Sequence, residues 1–321
     1  MERVAFCEGS QRGMCPIGLA PLPEEVIDAY LARLTVPRPK QPDLDALQML
    51  MAAHLDRIAY DNVDIHAGRP PADLDCTLAA KCLASYGRGG YCFTVVGAFA
   101  ALLTSLGFVV SLHVAGVGPD PPQPEKWGNH IVLLVHLDGE AYIADCGLGE
   151  GPRTPFKLTK AAWEEDGFTF ALEPREGGAW WWKNDPVHGF AGFAVNLATS
   201  VASVEEFRGY HEWYWTDPDA SYVKAGVVIH RPTASGLLSL HSCTLRRTHP
   251  SLPRRYEILR VAADRDEWFT LLGEVFHLHL ADLTDLERDQ LWARVSSDHA
   301  AWLEKQRLQT WEDGGTTTNQ P

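Results

Sequence analysis

Cysteine is scarce in this chain and is never set at close spacing. Seven cysteines among 321 residues stand at 7, 15, 76, 82, 92, 146 and 243. With no C-x-x-C pair, neither a zinc ribbon nor a dithiol redox motif is indicated. A sparse, odd set in so long a chain fits a reducing compartment. Positive charge is also short: 28 Lys and Arg face 42 Asp and Glu, for a net charge of -14. Phosphate backbones would repel such a chain, which argues against non-specific nucleic-acid binding but not against a local basic pocket for an anionic ligand. No apolar stretch reaches the roughly 18 residues a membrane span needs. The first twenty residues hold no basic segment followed by an apolar run, so no secretory leader is read. No internal repeat is found. These absences describe a soluble, cytoplasmic protein without membrane or nucleic-acid partners. Its 45% hydrophobic fraction is ordinary for a packed core.

Periodicity divides what remains. Pro23-Glu24-Glu25 opens a helix, with Val26, Ile27, Tyr30, Leu31 and Leu34 on one face. Pro37, Pro39 and Pro42 end it. A second helix runs from about Asp43, with Leu44, Leu47, Met51 and Leu55 on one side. The stretch from Ala59 to Leu74 reads as irregular, and a third helix covers about Thr77 to Tyr86. The first hundred or so residues therefore form a helical bundle. The period then changes. Phe108–Ala115 is a strand, and Asp138-Gly139 is a two-residue hairpin turn between strands Asn129–His136 and Glu140–Cys146. Trp180-Trp181-Trp182 lies in another strand-like region. From about 216, Tyr222–His230 and Leu237–Leu245 read as a hairpin, Tyr256–Val261 as a strand and Asp264–Leu278 as a helix. Thr284-Asp285-Leu286-Glu287 is a capping box opening a last helix. Residues 1–20 read as a loose extension and 311–321 as a disordered tail.

Within this frame, Arg88-Gly89-Gly90-Tyr91-Cys92-Phe93 stands out. Phe93, Val96, Ala100 and Leu103 recur at helical spacing, so Cys92 sits at a helix N-terminus, where free N–H groups and the helix dipole favour a thiolate. A buried structural cysteine is the alternative. The Asp138-Gly139 turn pairs Leu137 with Glu140, Leu134 with Ile143 and Val132 with Asp145. His130 then shares a face with Asp145 as its diagonal neighbour, about 7–8 Å away between backbones. A thiol, an imidazole and a buried acid could act together: thiolate attack on an acyl carbonyl, proton transfer by the histidine, orientation of the ring by the acid. The alternative is a satisfied strand histidine and a turn aspartate. Gly147-Leu148-Gly149-Glu150-Gly151 reads as a plain turn or as a backbone nest for an anion.

These segments resemble the arylamine N-acetyltransferase family. Arg88–Phe93 is similar to its RGGxCF(E) motif, Asn129-His130 to its histidine strand, and Asp145-Cys146-Gly147-Leu148-Gly149 to its DVGFG segment. The following Pro-Arg-Thr-Pro resembles that family's next loop. Asp28–Leu34 and Tyr60–His66 resemble its N-terminal signatures. The likeness covers about residues 25–160 well and Tyr222–Leu245 loosely; residues 161–215 match poorly. It implies an α+β fold with a cysteine-protease-like core: a helical bundle (1–107), a central antiparallel β-barrel (108–215) and a C-terminal α/β lid (216–310). It implies an N-acyltransferase with Cys92 as nucleophile, His130 as base and Asp145 as orienting acid. No tightly bound cofactor or metal is implied. The cosubstrate would be an acyl-CoA or acyl-phosphopantetheine thioester, possibly on a carrier protein, with its phosphates on Gly147, Gly149 and Gly151. The acceptor would be a small-molecule amine. The related amide synthases, which close macrolactams or release acyl chains in natural-product biosynthesis, are the alternative within this chemistry, and a cysteine hydrolase is the alternative outside it. Thr94 stands where the family has Glu, which removes a local partner for Arg88. The proline-rich loop Pro119–Lys126, with Trp127, is expected to rim the site.

Overall fold

The computed structural model of the chain describes residues 18–71, 74–121 and 123–312. The loose segment expected over 1–20 and the tail expected over 311–321 lie outside these residues, apart from 18–20 and from 311–312, which end the last helix. Helix α1 (Glu24–Leu34) buries the five apolar residues that its spacing predicts. Helix α2 (Leu44–Arg57) starts at Asp43, whose carboxylate accepts the Ala46 N–H at 2.9 Å, a cap worth about 1 kcal/mol. The stretch read as irregular contains a two-residue strand, β1 (Tyr60–Asp61), and one helical turn, α3 (Val63–His66). Helix α4 (Cys76–Tyr86) is capped by Asp75 and stopped by Gly87 in the left-handed conformation.

Helix α5 (Cys92–Ser105) is buried on every side from Cys92 to Leu103, as a helix apolar all round must be. It packs against α4 and α1 on one side and against the first sheet on the other. Truncating Phe99, fully buried on it, would cost about 3–5 kcal/mol.

The first sheet comprises β2 (Val109–Val117), β3 (His130–Leu137), β4 (Glu140–Ile143), β5 (Phe156–Lys157), β6 (Ala161–Glu165), β7 (Phe168–Pro174), β8 (Ala179–Lys183) and β9 (Gly192–Asn196). The order is β5-β4-β3-β2-β9-β8-β7-β6, antiparallel throughout, curling into a half-barrel with β5 and β6 at its ends. The β3–β4 register pairs Leu137 with Glu140 and Leu134 with Ile143. Asp138 and Gly139 both take positive φ, 50° and 80°, as a two-residue turn matched to strand twist requires.

Two further helices follow, α6 (Arg208–Thr216) and the single turn α7 (Ser221–Lys224). The second sheet adds β10 (Val228–Thr233), β11 (Gly236–His241), β12 (Thr244–Thr248) and β13 (Tyr256–Val261), in the order β1-β10-β11-β12-β13. Helices α8 (Arg265–Phe276) and α9 (Asp285–Glu312) complete the chain. Two expectations need correction here. The strand expected from Tyr222 begins only at Val228, because Tyr222 belongs to α7. The strand expected over Leu237–Leu245 is two strands that reverse at Ser242, which takes φ 49°; the apolar pattern runs through that turn with no glycine or proline to mark it. The capping box at Thr284 and Glu287 forms in both directions, at 2.8 and 3.3 Å. Among the described residues no helix is long and apolar enough to cross a membrane.

Candidate active site

Two backbone contacts fix where α5 begins. A side chain at Gly89 would lie 2.2 Å from the Ala59 carbonyl and 2.3 Å from the Asp61 carboxylate, so only glycine lets the α4–α5 link press against β1. Gly90 then bonds Asp61 N–H through its carbonyl at 3.1 Å. Arg88, just upstream, is buried and forks onto Asp282 through Nε at 2.9 Å and Nη2 at 2.7 Å, and it also binds Asp64. The partner that Thr94 cannot supply thus comes from 194 residues away, beyond the reach of any local pattern. The Thr94 hydroxyl itself is buried without a hydrogen-bond partner.

Cys92 opens the helix and is 2% exposed. Its Sγ lies 4.0 Å from the Asn129 carbonyl, at the head of β3 and next to His130. His130 Nε2 and Asp145 Oδ2 are 2.7 Å apart, with both side chains 3% exposed. Asp145 sits just past β4, and its other oxygen accepts the Gly147 N–H at 2.8 Å. With Nε2 bonded to the carboxylate, Nδ1 is the ring nitrogen left to take a proton. Of the residues nominated by sequence, His130 and Asp145 pair directly, and Cys92 reaches the Asn129 carbonyl at the head of the same strand.

The thiol's electrostatics differ from the expectation. A helix start favours the anion, but burial pushes the Cys92 thiol up, and the charge of Asp145 adds to this. The Phe93 and Ile131 N–H groups pull the other way without reversing it. Ionisation must therefore be coupled to a proton acceptor alongside. Cys146, also buried, points its S–H at the Val95 carbonyl at 3.8 Å, inside the helix–sheet core, and burial raises it too.

Four tyrosines close over the thiol. The Tyr214 hydroxyl donates to the same Asn129 carbonyl at 2.8 Å. The Tyr60 and Tyr222 hydroxyls bond each other. Tyr91 stacks on Tyr222 with centroids 5.1 Å apart, and Tyr214 meets Tyr222 edge-on at 4.5 Å. Burial holds all four phenols protonated, and a charge on Cys92 adds to the shift. Tyr214 and Tyr222 come from α6 and α7; Tyr214 lies where the sequence matches the family poorly, its only signal the aromatic density of Tyr210–Trp215, and Tyr222 opens the loosely matching stretch.

Gly147, Gly149 and Gly151 each face different neighbours. Side chains there would meet Cys92 and Val96 at 3.0 and 2.6 Å, Tyr60 at 2.7 Å and Trp182 at 3.3 Å. The Gly147 N–H is committed to Asp145, and the hollow beside Gly151 is lined by Glu150, Glu165 and Asp166 together with Arg153 and His188. As placed, these glycines let the loop press against α5, Tyr60 and Trp182. The proline-rich loop leans on α6, where Tyr210 donates to the Glu125 carbonyl, and on Arg175, which binds Asp120 at 2.6 Å. Its end also reaches the site, where the Asn129 N–H donates to the Lys126 carbonyl at 3.1 Å.

The chain matches the N-acetyltransferase family over residues 43–284. The arylamine N-acetyltransferase of Mycobacterium tuberculosis is 34% identical over 143 residues, 42% of this chain and 50% of that protein. That of Mycolicibacterium smegmatis is 29% identical over 216 residues, 55% of this chain and 78% of that protein. The chain thus spans about half the length of the first curated relatives it matches. Among solved structures, Mycobacterium marinum arylamine N-acetyltransferase in complex with CoA superposes with a TM-score of 0.72 at 25% identity, covering 84% of this chain and 98% of that one.

Proposed function

Since the chain belongs to the arylamine N-acetyltransferase family, we propose that it moves an acyl group from a coenzyme A thioester, through a thioester on Cys92, to an amine. The observation that carries this reading is the buried His130–Asp145 pair, 2.7 Å across, beside a thiol at a helix start. In the first half-reaction His130 Nδ1 takes the thiol proton as sulfur attacks the acyl carbonyl. The tetrahedral adduct collapses, the carbon–sulfur bond to the donor breaks, and His130 returns the proton to the leaving thiolate. In the second, His130 takes a proton from the attacking amine and returns it to Cys92 as the amide leaves. Asp145 holds the ring with Nδ1 free and stabilises the imidazolium, which offsets the burial that keeps the thiol neutral. The Phe93 and Ile131 N–H groups stabilise the thiolate as it forms.

The tyrosine enclosure favours transfer over hydrolysis. An acyl-enzyme that waits for an amine must exclude water, and four aromatic rings around Cys92 do so. The test is intact mass after incubation with acetyl-CoA and no amine. A single acetyl adduct on Cys92, discharged by an arylamine or hydrazine, is expected. An adduct that persists in Cys92→Ala, or one discharged equally fast by water alone, would sink the reading.

A further inference from the structure

The head of β3 turns backbone groups of both kinds toward the sulfur. The Ile131 N–H favours a thiolate there, whereas the Asn129 carbonyl, 4.0 Å from Sγ, opposes one. That carbonyl has a second donor. Tyr214, 5% exposed on α6, gives it the phenol proton at 2.8 Å. The contact belongs to a longer one. Four residues earlier on the same helix, Tyr210 donates to the Glu125 carbonyl, itself four residues before Asn129. One face of α6 therefore lies along the segment that leads into His130. The Asn129 side chain secures the other side, bonding both backbone groups of Val117 at 2.8 and 3.0 Å. Around Cys92 the titratable groups are His130, Asp145 and the phenols of Tyr60, Tyr91, Tyr214 and Tyr222. The other three phenols bond away from the carbonyl: Tyr60 and Tyr222 to each other, and Tyr91 to His211 Nδ1 at 2.8 Å.

We infer that Tyr214 is a positioning residue for acyl transfer: its hydroxyl, acting through the Asn129 carbonyl, favours ionisation of Cys92 and holds the strand head that carries His130. This rests on the acyl-transfer reading. A carbonyl oxygen beside a forming anion repels it, and an O–H donated to that oxygen offsets part of its negative charge. Once Cys92 loses its proton, the carbonyl also loses the S–H that faced it. Tyr214 is then the donor that keeps it satisfied, as a buried carbonyl requires. The ring and the hydroxyl thus have separate tasks: the ring excludes water, and the hydroxyl eases formation of the thiolate.

The experiment compares wild type with Tyr214→Phe, which removes one oxygen, and with 3-fluorotyrosine in place of Tyr214, whose ring fluorine makes the hydroxyl a stronger donor. Iodoacetamide labelling of Cys92 is timed from about pH 6 to about pH 10, a span that brackets ordinary thiol ionisation. Acylation by acetyl-CoA is followed by mass, and melting curves check the fold. In Tyr214→Phe the labelling midpoint should rise by about one pH unit, the tenfold effect of losing one hydrogen bond near a charge. Acylation should slow about tenfold below the midpoint and recover above it, with KM for acetyl-CoA within about twofold. The fluorinated enzyme should move the midpoint down. A midpoint unmoved by either replacement, or moved the same way by both, would overturn the inference. So would a pH-independent loss in Tyr214→Phe, which would leave Tyr214 as packing alone. If wild type takes up no acetyl group, the acyl-transfer reading fails, and the labelling midpoints still decide whether Tyr214 governs the thiol.

Discussion

Replacing Asp145 by Asn should stop acylation through the proton's position on the ring. In the native site the His130 Nε2–H donates to Asp145 Oδ2 at 2.7 Å, while Oδ1 holds the Gly147 N–H at 2.8 Å. An Asn side chain keeps its oxygen on Gly147 and turns its NH₂ toward Nε2. Nε2 must then accept, the ring proton moves to Nδ1, and the thiol loses its base. The imidazolium also loses a carboxylate. At about 4 Å between charge centres and an effective dielectric of about 20, that is about 4 kcal/mol, or about a thousandfold in rate. The assay is the burst of 4-nitrophenolate from 4-nitrophenyl acetate, with the adduct counted by mass. Asp145→Ala strips Gly147 of its acceptor and should melt lower, yet it leaves the ring free to choose its tautomer, so it should acylate faster than Asp145→Asn. A folded Asp145→Asn enzyme within tenfold of wild type, or one faster than Asp145→Ala, would refute the reasoning.

Other outcomes follow from the same geometry. Iodoacetamide should label Cys92 and spare Cys146, whose S–H is engaged inside the core; peptide mapping that finds Cys146 first would reverse the assignment. Arg88→Met leaves Asp64 and Asp282 facing a vacated site and should cost about 3–5 kcal/mol in urea unfolding, with Arg88→Lys recovering only part because it cannot fork. Burial raises the Asp61 carboxyl to about 7, so the folded state holds a proton there that the unfolded chain releases near its ordinary value of 3.8. Its contribution is complete below that value and is lost as pH rises through about 7. Asp61→Asn should therefore melt higher than wild type at pH 8 and lose that advantage at pH 4, and a pH-independent difference would contradict this.

Where the chain is locally self-consistent, the structure was legible in it. The Asp138-Gly139 turn allowed one register, and that register brought His130 and Asp145 to one face before any coordinate was known. The glycines before Cys92 and the apolar period after it announced a buried helix. Three things were not legible. Tyr222 lies in a run whose composition suits a strand, but its neighbours Ala220 and Ala225 close a helical turn. Ser242 reverses the chain without a turn residue's signature. Asp282 completes the Arg88 fork from the opposite end of the sequence, and no local rule links two such positions. The thiol was misjudged for a related reason: a helix start can be read from sequence, whereas its burial depends on everything packed over it.

The Arg88 fork also bears on the order in which the protein is made. The chain leaves the ribosome from its N-terminus, and Arg88 emerges almost two hundred residues ahead of Asp282. During that interval the nucleophile's helix can pack its apolar faces, but the cation at its entrance has only Asp64 to meet. The same holds for Tyr214 and Tyr222, which arrive after the cysteine they cover. A nascent chain therefore carries a partly covered thiol until Tyr222 is synthesised, and a half-paired arginine until Asp282 follows. A product terminated before Tyr214 would lack two of the rings over Cys92 and leave its thiol more open to oxidation.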